Sequence, residues 1–171
     1  PNPMVDLAEQ VLDEVSRSVQ SEGWVFNTEY SYPFTPDVNG QVLIPDNLLS
    51  LDVDRMNSRI DPVIRGGKLY DKRNHTYKFT GDQKLNVIWM FDFEDLPEAF
   101  KNYIAIRAAN LFAARATGSA EMAKYSEREE ASARAAIMEY ETQQGDYNML
   151  GAPDGRNIVQ GYMPINTVYR Y

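Results

Sequence analysis

Asp95–Ala113 reads DLPEAFKNYIAIRAANLFA, and its spacing decides the fold. Leu96, Phe100, Tyr103, Ile104, Ala108, Leu111 and Phe112 recur at three- and four-residue steps and form one apolar stripe. Ala99, Ile106, Ala109 and Ala113 line a second. A helix that is apolar on two sides needs partners on both, so this segment is expected at the centre of a helical layer. Pro97 suits a first helical position, and Asp95 and Glu98 suit the positive end of the helix dipole.

Its partners lie on both sides in sequence. Downstream, Gly118 interrupts the pattern, Ser119 can cap a new helix, and Gly145 ends it. This predicts a helix over Ser119–Gln144, ~39 Å long at 1.5 Å per residue. Its apolar content is mostly alanine, with Ile137, Met138 and Tyr140 near the end, and Glu130 and Arg134 are spaced as a favourable four-residue ion pair. Such a helix covers a surface or meets another subunit, and Ala131, Ala135, Glu130 and Arg134 are its candidate interface residues. Upstream, Met4, Ala8, Val11, Leu12, Val15 and Val19 give a first amphipathic helix, which Gly23 is placed to close.

Between the first helix and the central one the period changes. Trp24-Val25-Phe26, Val42-Leu43-Ile44, Leu49–Val53, Val63–Arg65, Lys68–Tyr70, Thr76–Phe79 and Leu85–Phe91 are short and rich in β-branched or aromatic residues. Pro33, Pro36, Asn39-Gly40, Pro45-Asp46, Gly66-Gly67 and Gly81-Asp82 punctuate them. Gly66-Gly67 has the pattern of a two-residue hairpin loop. We expect an antiparallel, mostly hairpin-connected sheet here. After Gly145 periodicity ends, yet Asp146–Tyr171 is rich in aromatic residues, unlike a disordered linker. It reads as an extended arm that lies on a partner, with Tyr147, Tyr162 and Tyr169 as anchors. The expected fold class is therefore α+β. Three or more helices (residues 1–23 and 95–145) form a bundle, an antiparallel β domain (24–94) is inserted between the first and second helices, and an extended C-terminal arm (146–171) follows.

Composition narrows the chemistry. Of 171 residues, 43 % are hydrophobic and 25 % charged, as in ordinary globular proteins. No eighteen-residue apolar run occurs, so no membrane-crossing helix is expected. No charged-then-apolar leader opens the chain, and its first residue is Pro1 in place of Met, so a fragment is expected. Cysteine is absent, which removes disulfides, thiolate nucleophiles and cysteine-based zinc sites. The net charge of −8 opposes tight binding of phosphates. It is unevenly spread. Residues 1–60 set ten acids against Arg17, Arg55 and Arg59. Residues 61–84 set Arg65, Lys68, Lys72, Arg73, Lys78 and Lys84 against Asp61, Asp71 and Asp82. Arg65, Lys68, Lys72 and Arg73 thus mark a basic hairpin that faces a partner or DNA.

Catalytic constellations are scarce. No Gly-rich phosphate loop, HExxH or Ser-His-acid set can be assembled, and the lone His75 sits in a charged turn. Asp52-Val53-Asp54 begins like a calcium loop, but Met56 stands at a ligand position. Asp92, Glu94, Asp95 and Glu98 could serve glycan cleavage only as a facing pair with one raised pKa. At a helix start they read more simply as capping and dipole-stabilising acids. No catalysis, cofactor or metal is expected.

Three stretches carry a resemblance: Arg17–Asn27, RSVQSEGWVFN; Asp95–Ala109, DLPEAFKNYIAIRAA; and Met138–Leu150, MEYETQQGDYNML. In this order and at these separations, with the Arg65-Gly66-Gly67-Lys68-Leu69-Tyr70-Asp71 hairpin, the chain resembles the tail tubular protein A family of short-tailed phages over roughly residues 5–150. The resemblance implies a helical bundle with a β domain. It also implies a twelvefold ring in the virion tail, assembled in the host cytoplasm, that joins the portal protein to the tail nozzle protein (tail tubular protein B). Tail fibres would attach near its outer edge, and its lumen would be a passage for double-stranded DNA, which the net charge of −8 is expected to let through without tight binding.

Overall fold

The computed structural model describes residues 3–53, 59–117 and 120–145. Three helices, α1 (Pro3–Gln20), α2 (Glu98–Thr117) and α3 (Ala120–Gln144), pack with α2 between the other two. The first apolar stripe of α2 is enclosed: Phe100 and Ile104 are fully buried, with Leu96, Tyr103 and Ala108 beside them. Val11, Val15 and Val19 of α1 and Ala133 and Ile137 of α3 complete this core. Phe100 is its hub. Trp24 meets its ring edge-on at 5.0 Å, Phe26 lies at 4.6 Å and Tyr140 of α3 at 5.8 Å, and each such aromatic pair adds ~0.5–1.5 kcal/mol beyond area burial.

The start of α2 follows from its residues. The Pro97 carbonyl accepts the first helical hydrogen bond, from the Lys101 N–H at 3.1 Å, so Pro97 caps the helix one position earlier than expected. At the end of α1, Gly23 has φ +77°, and a Cβ there would stand 2.8 Å from Ile88 Cδ1. Only glycine gives both the left-handed turn and this close approach.

The strands form two small antiparallel sheets. β1 (Thr28–Phe34), β2 (Leu48–Asp52) and β5 (Gln83–Trp89) make a three-stranded sheet in the order β1-β5-β2. β3 (Pro62–Arg65) and β4 (Lys68–Asp71) pair as a hairpin with Arg65 opposite Lys68. Gly66 and Gly67 both have positive φ, as a type I′ loop requires. Central β5 alternates, with Leu85, Val87 and Trp89 buried. They join Phe34, Val42, Ile44, Leu48, Leu69 and Phe79 in a second core.

Several expectations are corrected. Trp24-Val25-Phe26 is a turn, closed by the Asn27 N–H on the Trp24 carbonyl, because Trp24 and Phe26 are drawn into the helical core. Val42-Leu43-Ile44 and Thr76–Phe79 contribute single bridges, Leu43 to Lys68 and Asp71 to Thr76, not strands. Thr28–Phe34 is a strand despite Pro33, because it lies at a sheet edge, where a missing N–H is tolerated. Among the described residues only β3–β4 is a hairpin. The larger sheet instead joins strands far apart in sequence through β5.

A polar seam links the two cores. Buried Asn27 donates to the carbonyls of Gln20 and Trp89, both at 2.9 Å, and accepts from the Trp24 N–H at 2.8 Å. Buried Gln20 donates to the Phe91 carbonyl and accepts from the Phe91 N–H, while Phe91 packs against both cores. Among the described residues no buried side-chain polar atom lacks a partner. The described chain is a mixed α/β protein of three helices and small antiparallel sheets. The proposed arm, with Tyr147, Tyr162 and Tyr169, and the proposed cap Ser119 lie outside the described residues.

Candidate assembly surfaces

Helix α3 has two unlike sides. Ala133 and Ile137 turn one side inward, and the residues flanking them fasten it to the rest of the chain. Arg134 donates to both carboxylate oxygens of Glu22, at 3.1 and 2.6 Å, and lies over the rings of Trp24 (4.9 Å) and Tyr103 (5.6 Å). The Glu22 hydrogen bonds raise the Arg134 pKa, burial opposes them, and the charges of Glu22 and Tyr103 reinforce them. Two turns on, buried Glu141 accepts the Val25 N–H on both oxygens. Glu130 accepts from Asn110 Nδ2 at 3.1 Å and stands 3.9 Å from Arg107 Nε.

The expected Glu130–Arg134 pair is therefore not what these side chains form. The inward turn of Ala133 and Ile137 places each beside a different element, so both hold α3 on its own chain. Ala131 and Ala135 lie on the opposite, exposed side, and Met138 is 47 % exposed. The Glu22–Trp24 clasp escaped residue-by-residue reading, because nothing in its own periodicity marks Glu22 as the partner of a helix far along the chain.

The basic hairpin is ordered by its own contacts. The Arg65 guanidinium lies 4.2 Å from the Tyr70 ring centroid, and Tyr77 sits 4.7 Å beyond it. Lys68 donates to Gln41 at 2.9 Å, and half-exposed Lys72 pairs with Asp61 at 3.0 Å. Arg73 donates its backbone N–H to Asp71. Buried Asp71 is the hub of the turn. Burial opposes its ionisation, but N–H donation from Asp61, the Asn74 side chain and Arg73 outweighs this and holds its pKa below the usual aspartate value. Arg65 and Lys68 thus share the exposed sheet face, while Lys72 and Arg73 occupy the turn after β4. His75 is exposed in that turn, with φ +53°.

Asp92, Glu94, Asp95 and Glu98 are all exposed. Asp92 stands at the cap of the short 3-10 turn Phe93–Asp95 but makes no side-chain capping bond, so its expected capping role is corrected. Glu98 instead stands 3.9 Å from Lys101. Glycan cleavage requires one carboxyl shielded from solvent, and this cluster is open. Among the described residues no three acids or histidines gather as a metal site, and no helix is long and apolar enough to cross a membrane.

The described chemistry thus lies on open faces, as in proteins that act by contact with other macromolecules. The chain belongs to the tail tubular protein family, whose model matches residues 1–147, and members of that family are structural components of the phage virion tail. It is 32 % identical over 104 residues to tail tubular protein A of Klebsiella phage KP34, a match that covers 61 % of this chain and 54 % of the relative. The matched stretch spans about half the length of that curated relative.

Proposed function

We propose that the chain is a ring-forming adaptor of the tail, one copy in a twelvefold ring that joins the portal protein to the tail nozzle protein, tail tubular protein B. Residues 1–23 and 95–145 form its bundle, 24–94 an inserted β domain, and 146–171 an arm that docks on a partner through Tyr147, Tyr162 and Tyr169. The two separate apolar cores support the division between bundle and β domain. Tail fibres attach near the ring's outer edge, and assembly takes place in the host cytoplasm.

The observation that carries this reading is the outward side of α3. The inward side is fully engaged, while Ala131, Ala135 and Met138 present a small, partly apolar surface on which another helix can approach closely. In a tail tubular protein this surface suits a neighbouring copy. The ring's lumen passes double-stranded DNA without holding it, because −8 charges per chain repel phosphates at close range. Replacing Ala131 and Ala135 together by Glu is expected to lower the assembled mass, measured by sedimentation, while circular dichroism shows the helix content of the wild type. Unchanged assembly in that variant contradicts the assignment.

A further inference from the structure

We infer that the exposed face of the basic hairpin docks on the acidic face of α1 in the next copy of this chain. The inference rests on the ring reading and supplies a second contact for it, separate from α3.

The hairpin face is built by cross-strand pairing. Leu43 bridges to Lys68, which stands opposite Arg65, so these side chains share one side of the strands. Tyr70 and Tyr77 extend that side, and Leu43 is 62 % exposed. Arg65 is held by the Tyr70 ring with its N–H edge available, and it has no carboxylate partner among the described residues. Lys68 is steadied by Gln41 at 2.9 Å and by the nearby charge of Asp37, so Arg65, directly opposite it, is the cation of this face that an outside carboxylate would complement.

Helix α1 presents the complement. Asp6, Glu9 and Asp13 follow one another at three- and four-residue steps on one exposed face, and they make no ion pair among the described residues. Glu14, on another face, is already taken by Arg115 at 2.8 Å. Exposed Arg17 continues the same face four residues after Asp13, so the like-charge repulsion bears chiefly on Glu9 and its two acidic neighbours. The dimensions agree: cross-strand neighbours stand ~4.5–5.5 Å apart at Cβ, and helical neighbours at these steps ~5–6 Å. Val5, exposed beside the acids, matches exposed Leu43. The two patches are different surfaces of one chain, so their contact is head-to-tail, the kind that closes rings of more than two subunits. Duplex DNA is the less suited occupant, because its phosphates would approach a chain of net charge −8.

The test measures the assembled mass of the full chain by sedimentation velocity across concentration. Arg65→Glu with Lys68→Glu, and separately Glu9→Lys with Asp13→Lys, should each raise the concentration for half-assembly at least tenfold. All four substitutions in one chain should restore assembly, which also shows that the variants fold. Assembly of both charge-reversed variants at the wild-type concentration, beside a wild-type ring, overturns this contact and leaves the ring reading standing. Impaired variants without restoration overturn it too, as does loss of duplex binding in the hairpin variant with ring mass unchanged. A wild-type chain that stays monomeric at every concentration overturns the ring reading and this contact together.

Discussion

The helical layer and the β region are each built on an apolar core, but they are specified differently. In the helical layer the residues that pack are repeated locally: the valines of α1 and the Phe100–Ala108 stripe of α2 mark their own burial. In the β region the decisive partners lie far apart: β5 pairs with β1 and β2, and the β3–β4 hairpin lies between β2 and β5 along the chain. Between the two, Asn27 and Gln20 add hydrogen bonds to the apolar contact that Phe91 makes with both cores. Local period therefore specifies the bundle, while its junction with the sheet depends on buried amides and on Phe91 together.

The largest expected effect breaks the helical side. Phe100→Ala removes the ring on which Trp24, Phe26 and Tyr140 converge, and should lower unfolding free energy by ~3–5 kcal/mol, read from urea denaturation. A loss below 1 kcal/mol would show that Phe100 is not the hub. Next is the seam. Asn27→Ala takes the acceptor from the Trp24 N–H and a donor from the Gln20 and Trp89 carbonyls, although Gln20 keeps the Gly23 N–H, and should cost ~2–3 kcal/mol. Its hydrogen-exchange losses should concentrate at β5 and the turn after α1. Uniform losses across α2 and α3 would show that the seam does not separate the regions.

A smaller effect sharpens the β side. The folded-state pKa of Asp71 is lowered, so its stabilisation is present above the ordinary aspartate value of about 3.9 and is lost as pH falls through the folded value. Asp71→Asn should flatten the acid limb of stability below about pH 4, while Asp37, also lowered by N–H donation from Gln41 and Asn39, keeps part of the slope. An acid limb unchanged from wild type would remove Asp71 from that account. The smallest effect belongs to Glu14 and Arg115, an exposed pair between α1 and α2. Such pairs are screened by solvent, so Arg115→Gln should leave the thermal midpoint within measurement error.

Legibility in the sequence follows the same division. The three helices, the Gly66-Gly67 hairpin and, within one or two residues, the strands β2 and β5, expected at Leu49–Val53 and Leu85–Phe91, could be read from period and turn residues. Trp24-Val25-Phe26 misled because aromatic and β-branched residues suit both a strand and a core-filling turn, and only Phe100 decides between them. Pro33 concealed β1 because its edge position depends on sheet order. On α3, Ala131 and Ala135, which we propose as an interface, are exposed. The spacing of Glu130 and Arg134 suggested a pair that longer-range partners displace, since Glu22 and Asn110 enter reach only after α3 has docked.

The most direct test of the central claim is electron microscopy of the assembled chain. The account predicts closed rings of twelve copies with a lumen wide enough for duplex DNA, lost when Ala131 and Ala135 become Glu. A wild-type chain that remains monomeric, or that grows into open filaments without closure, would contradict it.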